Sequence, residues 1–317
     1  MNMRPTAADF AEVLGRISPF IHETPVHTCA TIDTLTGRKV FFKCELFQRM
    51  GAFKMRGAAN FVFLMSKEER SRGVVAHSSG NHAQAVALAA RLFGVEATIV
   101  MPENAPAVKR AATESYGAQV VPCGNAVADR ERVAEELLRE SGAVFIHPYD
   151  DERIIMGQGT AGFEFLRQVP ALDTLLVPVS GGGLISGVAL AAHALNPGLR
   201  IIGVEPELAD DAAASYAAGS LVRKPAGETI ADGLRANLSE RTFAVMREHV
   251  ERVVTVSEDA IRRAMRLLWE RAKLLAEPSA AAALAPLLDS TATIPGERVG
   301  VILSGGNVDL AGLKLLD

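Results

Sequence analysis

The sequence predicts an α/β protein made of two open parallel-sheet units with a cleft between them. Three observations carry that prediction. From Gly73 to His147, short apolar runs alternate regularly with segments of helical periodicity. A second set of the same kind runs from Ile154 to Leu303. The 317 residues, 49% hydrophobic and 22% charged, suit about two units sharing one large α/β body. Repeated β-α-β units imply parallel strands and right-handed crossovers.

In chain order, Thr6 with Asp9 three residues on resembles a capping box. It leads into an amphipathic helix with Phe10, Val13, Leu14 and Ile17 on one face, and Pro25 ends that region. Lys39 to Leu46 reads as a strand and Gly57 to Met65 as a helix. In the first regular set the strands are Val74–Ala76, Val95–Met101, Ala118–Val121 and Val144–Ile146. Its helices are Asn81–Phe93, Pro106–Tyr116 and Ala126–Glu140. In the second set the helix Ile154–Arg167 precedes the strand Leu175–Val179, and the helix Leu184–Leu195 precedes the strand Ile201–Val204. Helices Asp211–Ala218 and Arg241–His249 follow, then strand Val253–Val256. Ser257 caps a long helix over Ile261–Leu275; Ala280–Leu288 is a further helix, and Val299–Leu303 the last strand. Ser220 to Gly227, holding Pro225, is the one long surface loop. No internal repeat or low-complexity tract interrupts the pattern.

Composition narrows the function. The net charge is −4, the 33 basic residues are scattered, and three Tyr and one Trp offer little stacking surface, so no nucleic-acid partner is expected. No apolar run reaches the ~18 residues of a membrane span. The first residues lack the apolar core of a signal peptide. Cys29, Cys44 and Cys123 are odd in number and lack CxxC spacing, which fits free thiols in a reducing compartment. A cytoplasmic protein without membrane association is the expectation.

Three segments carry chemistry: the one around Lys54, the glycine-rich Ser180 to Leu184, and the C-terminal Ser304-Gly305-Gly306-Asn307. Lys54 lies in Gly51-Ala52-Phe53-Lys54-Met55-Arg56-Gly57, among apolar neighbours that suit an ammonium poorly. Desolvation would lower its pKa and leave a nucleophilic amine ready to condense with a carbonyl. Taken alone, the heptapeptide also describes a surface lysine passing a turn. Ser180-Gly181-Gly182-Gly183-Leu184 follows a strand and opens a helix. Backbone N–H groups without Cβ atoms in the way, together with a helix N-terminus, make a phosphate cup. A dinucleotide has partial support: Glu205 stands 22 residues after Gly183, as a ribose-binding acid would. Ser186, however, occupies the place of the third glycine, and no GxxxxGK[ST] loop is present. One phosphate cup plus one buried lysine matches pyridoxal 5'-phosphate, which has one phosphate and one aldehyde.

Nearly end to end, the chain resembles the fold-type II pyridoxal-phosphate enzymes, in the serine/threonine dehydratase and serine racemase group. The motifs are Phe53 to Gly57, Ser78-Ser79-Gly80-Asn81-His82-Ala83-Gln84, Gly157-Gln158-Gly159-Thr160, Ser180 to Leu184, Thr229 to Gly233, Glu277-Pro278-Ser279 and Leu303 to Asn307. The resemblance implies a tryptophan synthase β-like fold with the active site in the cleft. Residues 1–66 and 151–317 are assigned to a large cofactor-binding domain and 67–150 to a small one.

It also implies roles. Lys54 would bind the aldehyde covalently and later act as base at the substrate Cα. Phe53 would pack on the ring and Asn81 would donate to its 3′ oxygen. Gly181, Gly182, Gly183 and Leu184 would hold the phosphate, and Ser304 would face the pyridine nitrogen. A neutral hydroxyl there does not keep the ring protonated, which favours β-elimination over transamination. Ser78, Ser79, Asn81, His82 and Arg130 would meet the substrate. In racemase-like members a serine at the position of Ser79 exchanges a proton on the face opposite the lysine, so a racemase alternative stays open. Glu205, Ala209 and Asp211 resemble a divalent-cation site, all-oxygen and suited to Mg²⁺, with Ca²⁺ or Mn²⁺ as alternatives. An acidic helix start complementing its dipole explains the same residues without a metal.

The expected function is a lyase that removes water from L-serine, L-threonine or 3-hydroxyaspartate, giving a 2-oxo acid and ammonia. Arg130 or Arg235 pairing with a second carboxylate motivates 3-hydroxyaspartate. Tyr149, where animal serine racemases tend to carry asparagine, is more dehydratase-like. The resemblance further implies a homodimer. Only ten residues follow Asn307, so feedback control through a C-terminal regulatory domain is not expected.

Overall fold

Two separate sheets organise the chain, and all but one of their strands are parallel. The strands are β1 (Val26–Thr28), β2 (Lys39–Cys44), β3 (Val74–His77), β4 (Ala97–Pro102) and β5 (Gln119–Cys123), followed by β6 (Val144–Phe145), β7 (Thr174–Pro178), β8 (Arg200–Pro206), β9 (Arg252–Val256) and β10 (Arg298–Leu303). The computed structural model describes residues 3–105, 107–289 and 293–309. The larger sheet has the order β1-β2-β10-β7-β8-β9 and the smaller the order β5-β4-β3-β6. Only β1 runs antiparallel, pairing Val26 with Lys43.

Central strands of the larger sheet are buried past their first residues, as near-continuous apolar runs require when helices cover both faces. Val40, Phe42, Leu176, Ile202, Val299 and Val301 lie in one of its cores. The smaller sheet packs Val74, Ala76, Ile99 and Met101 against the Asn81–Phe93 helix. Each of these Val, Leu, Ile, Phe and Met side chains contributes roughly 1.5–3 kcal/mol when fully buried.

The opening helix, Ala7–Ile17, has the expected capping box between Thr6 and Asp9 and buries Phe10, Val13 and Ile17. The helices Asn81–Phe93 and Asp211–Ala218 occupy the expected residues. Pro106, the expected first residue of the next helix, lies outside the described residues; that helix is Ala107–Ser115. Sequence reasoning missed β1 and the short helices Ala30–Thr36 and Lys67–Ser71.

Three boundaries differ for stated reasons. The helix expected from Gly57 begins at Lys54, because the preceding loop is fixed by backbone pairing to the last strand's exit. The long helix expected to Leu275 is α-helical over Glu258–Leu267 and widens to a π-turn over Leu268–Ala272. It ends where Lys273 turns left-handed, at φ +60°. The helix expected over Ala280–Leu288 is only Pro278–Ala281 plus a 3₁₀ turn, Ala285–Leu287. Pro286 has no N–H to continue an α-helical ladder. Among the described residues, no helix is long and apolar enough to cross a membrane.

Candidate active site

The carboxyl ends of β2, β3, β6, β7 and β10 lead into the segments that hold Lys54, Ser78–Asn81, His147–Tyr149, the glycine loop and Ser304. Ligand sites of open α/β sheets form at such strand ends.

Backbone bonds seat Lys54. Ala52 forms a β-bridge with Gly305, the Phe53 N–H donates to the Ser304 carbonyl at 3.0 Å, and Gly306 donates to the Gly51 carbonyl at 2.9 Å. Lys54 is therefore the first residue of a helix, Lys54–Phe63, whose start is sewn to the exit of β10. Its Nζ donates to the Pro148 carbonyl at 2.7 Å and lies 5.3 Å from the centroid of the Phe53 ring. Burial, with no carboxylate paired to it among the described residues, pulls the amine's pKa down from 10.5 to about 8.

Two residues further on, Arg56 anchors the same helix in a buried ionic cluster. Its Nε and Nη2 bind Glu45 in bidentate fashion at 2.7 and 2.8 Å, and Nη2 also reaches Glu164 at 2.7 Å. Lys43 completes the cluster through Glu164 at 2.7 Å, so two cations balance two carboxylates.

The glycine loop is shaped for close backbone approach. A Cβ on Gly181 would fall 2.3 Å from the Tyr149 ring, and one on Gly182, at φ +86°, 2.7 Å from Thr242. Among the described residues no backbone acceptor takes the N–H groups of Gly181, Gly182, Gly183 or Leu184. They precede or open the buried helix Gly183–Leu195, so unpaired donors and the helix dipole face the same place. The Ser180 hydroxyl is already engaged, accepting from the Ala236 N–H at 3.1 Å.

Ser304 is 4% exposed, and its hydroxyl makes no hydrogen bond with a described residue. Asn81 donates through Nδ2 to Glu277 Oε1 and accepts through Oδ1 from Asn307 Nδ2, both at 2.8 Å. The Ser78 hydroxyl accepts from the Gly80 N–H at 3.2 Å, whereas the Ser79 hydroxyl is uncommitted among the described residues. His82 is buried and its Nε2 meets the Ile146 carbonyl at 2.9 Å, so that nitrogen carries the proton. Burial first, and then the charge of Lys54, keep His82 neutral.

His147 is also held neutral. Its Nδ1 accepts from the N–H groups of Asp150 at 2.8 Å and Tyr149 at 3.3 Å, and burial lowers its pKa to about 4. Arg130 sits on the Val127–Ser141 helix, near enough to His77 to depress that ring's pKa after burial has done so. Its buried Nε has no partner among the described residues. Arg235 is exposed and donates to the Thr229 carbonyl at 2.5 Å.

The acidic segment lies at the end of β8. Glu205, 1% exposed, accepts from the N–H groups of Ala213 at 2.6 Å and Ala212 at 3.3 Å. Asp211 accepts from the Leu238 N–H at 2.9 Å. Burial first, and neighbouring carboxylates after it, raise Glu205 to about 8; burial raises Asp211 to about 6. Among the described residues no Lys, Arg or His nitrogen pairs with either, although Lys224 pairs with Asp210. Glu205 is thus turned inward onto the Asp211–Ala218 helix, a poor place from which to bind a ribose.

Residues present fit pyridoxal phosphate: an amine of lowered pKa, unpaired N–H groups on a loop where only glycine fits, and an uncommitted hydroxyl at Ser304. Sequence reasoning missed the Pro148 carbonyl, the Tyr149 ring over the glycine loop, and the Glu277 and Asn307 partners of Asn81. Glu277 and Asn307 lie within two of the quoted motifs, but neither motif signals a bond to Asn81.

The model of the family described as pyridoxal-phosphate dependent enzymes matches residues 17–305. A serine racemase of Oryza sativa subsp. indica is 48% identical over 304 residues, covering 94% of this chain and 90% of that protein. An L-threo-3-hydroxyaspartate ammonia-lyase of Saccharomyces cerevisiae is 48% identical over 307 residues, covering 96% and 94%. The solved structure of maize serine racemase superimposes with a TM-score of 0.95 at 47% identity, covering 98% of this chain and 96% of that one.

Proposed function

The chain belongs to the pyridoxal-phosphate dependent enzyme family, and on that premise we propose that it is a lyase removing water from small β-hydroxy amino acids. L-Serine, L-threonine and 3-hydroxyaspartate are the candidate substrates, and a 2-oxo acid and ammonia the products. The observation that carries the reading is the Lys54 amine, held at a pKa of about 8 among the strand ends that also present the glycine loop and Ser304.

Lys54 would hold the cofactor's aldehyde carbon, Phe53 and Asn81 would contact its ring, the N–H groups of residues 181–184 would bind its phosphate, and Ser304 would meet its ring nitrogen. Bound there, pyridoxal phosphate supplies an electron sink that acidifies the substrate's α-hydrogen and lets the β-hydroxyl depart. Lys54, freed when the substrate's amine takes its place on the aldehyde carbon, would then take the α-proton, a task that suits an amine whose pKa lies near neutrality. The N–H groups and hydroxyls of Ser78 to His82, at a helix N-terminus, orient the substrate carboxylate. The hydroxyl would leave as water with the proton that the Lys54 ammonium returns, and once the Lys54 amine has retaken the aldehyde carbon the released enamine would hydrolyse in solution to the 2-oxo acid and ammonia.

Arg130 supports a dicarboxylic substrate, since its buried Nε lacks a partner among the described residues. Arg235 is less suited, being exposed and bound to Thr229. Ammonia release from 3-hydroxyaspartate, L-serine and L-threonine, compared at equal concentration, tests this. Threonine turnover equal to or better than that of 3-hydroxyaspartate rejects the diacid reading.

The uncommitted Ser79 hydroxyl favours a second reading, an amino-acid racemase. It would exchange the α-hydrogen of serine with solvent and give both enantiomers without ammonia loss. A divalent cation held by Glu205, Asp211 and the Ala209 carbonyl belongs to the proposal, supported by two buried carboxylates without a cationic partner among the described residues. So does a cytoplasmic homodimer: the three cysteines are free and buried, and Phe63, Leu64 and Leu92 leave large apolar side chains exposed. We also take residues 67–150 as a separate small domain facing the rest of the chain.

A further inference from the structure

Glu277 has no part in the chemistry above, yet it is 4% exposed at the head of an Ala-rich, apolar segment. It is one end of a hydrogen-bonded chain. Asn307 Nδ2 donates one hydrogen to the Met50 carbonyl and one to Asn81 Oδ1, and Asn81 Nδ2 donates to Glu277 Oε1, each at 2.8 Å. The Met50 contact fixes the direction of the whole chain. A backbone carbonyl only accepts, so the amino end of Asn307 must face it. With both N–H groups of Asn307 directed outward, the atom of Asn81 that meets it must be the oxygen. Asn81 Nδ2 then faces Glu277, and one hydrogen of that Nδ2 is left without an acceptor among the described residues.

Two glycines leave room for this arrangement. A Cβ on Gly51 would lie 2.6 Å from Asn307 Oδ1, and one on Gly305 would lie 2.5 Å from Glu277 Oε1. Met50, at φ +55°, holds a left-handed backbone that is uncommon for a bulky residue. The chain also crosses between the two sheets: Asn81 opens the helix after β3, whereas Asn307 follows β10 and the Glu277 N–H donates to Gly305.

We infer that Glu277 and Asn307 are positioning residues that hold the Asn81 carboxamide in one orientation, with its free N–H directed to the cofactor site. This rests on the reading of Asn81 as a cofactor contact. Glu277 need not be charged to do it, because the carbonyl oxygen of a neutral carboxyl accepts as well. Burial indeed raises Glu277 to about 8, leaving it largely protonated at neutral pH, which makes glutamine the conservative replacement.

A double-mutant cycle tests the inference. The full-chain protein, Glu277→Ala, Asn81→Ala and the double variant are titrated with pyridoxal phosphate, and Kd is read from the visible absorbance of the bound cofactor. Each single variant is expected to raise Kd about 10-fold, and the double variant to stay within about 2-fold of Asn81→Ala alone. Glu277→Gln is expected to remain within about 3-fold of the unaltered protein. A double variant about 100-fold weaker, or a Glu277→Gln variant as weak as Glu277→Ala, overturns the inference. If Glu277→Ala gives no cooperative melt, Asn307→Ala takes its place in the cycle with the same expectations. Unaltered protein that takes up no pyridoxal phosphate overturns the cofactor reading itself and this inference with it.

Discussion

The N–H of Phe53 donates to the carbonyl of Ser304 at 3.0 Å, so the residue before the lysine and the residue expected at the ring nitrogen are joined through their backbones. Two segments about 250 residues apart in sequence thus become one rigid edge of the cleft. Displacement of either would move both chemical groups together.

Burial of Lys54 gives the first prediction. Only the neutral amine attacks an aldehyde, and its pKa of about 8 lies far below the ordinary 10.5. Covalent capture of pyridoxal phosphate by the cofactor-free protein should therefore speed up about tenfold per pH unit below 8 and level off above it. Stopped-flow absorbance between pH 6 and 10 reads this. A rate still climbing tenfold per unit at pH 10 would describe an ordinary exposed lysine.

Gly182→Ala should weaken cofactor binding. The added Cβ would lie 2.7 Å from Thr242 at a backbone φ of +86°. Relieving both the clash and the strain displaces the loop whose N–H groups are expected to meet the phosphate, a loss on the order of 1–3 kcal/mol. Free pyridoxal, which lacks the phosphate, should bind the variant and the unaltered protein alike; equilibrium titration with both ligands separates loop damage from damage elsewhere.

Replacing Arg56 should destabilise the fold rather than the chemistry alone. Arg56→Met leaves Glu45 and Glu164 buried with only Lys43, which costs about 3–5 kcal/mol, or roughly 10 °C in Tm. Burial by itself raises the Glu164 pKa, but Arg56 and Lys43 more than reverse this and hold it below 4.5. A folded pKa below the unfolded one stabilises above ~4.5 and is lost as pH falls through the folded value. The Tm gap between the two proteins should therefore be wide at pH 7 and narrow toward pH 4. A gap that stays constant with pH would mean lost packing, not lost charge pairing.

How far the sequence revealed all this depended on range. Local signals were reliable: the Thr6–Asp9 capping box and the helix Asn81–Phe93 depend on neighbours a few residues apart. Parallel strands followed from apolar runs set between helices. Contacts over long separations left little local trace. Nothing near Lys54 announces that Pro148 accepts from its amine, or that Arg56 closes a ring with Glu45 and Glu164. Gly157, within the quoted Gly157 to Thr160 motif, proves to serve close packing: a Cβ there would lie 2.6 Å from the Arg56 carbonyl. Boundaries slipped where tertiary pairing overrode periodicity, as at Lys54, or where a proline ended an α-helical ladder, as at Pro286.

Magnesium should stabilise the protein if Glu205, Asp211 and the Ala209 carbonyl hold it. At about 100 times its Kd, a ligand of the folded state alone adds ~2.7 kcal/mol, several degrees in Tm. Millimolar Mg²⁺ after chelation should restore that shift in the unaltered protein and not in Asp211→Ala. Equal melting temperatures with magnesium and with chelator would leave the two carboxylates as a helix-start feature only.

The central claim concerns one amine, and borohydride reduction tests it most directly. Purified protein loaded with pyridoxal phosphate should absorb in the visible and lose that band on reduction. Peptide mass analysis should then find one reduced phosphopyridoxyl group on Lys54. A protein that stays colourless with added cofactor, or carries the label on another lysine, contradicts the account.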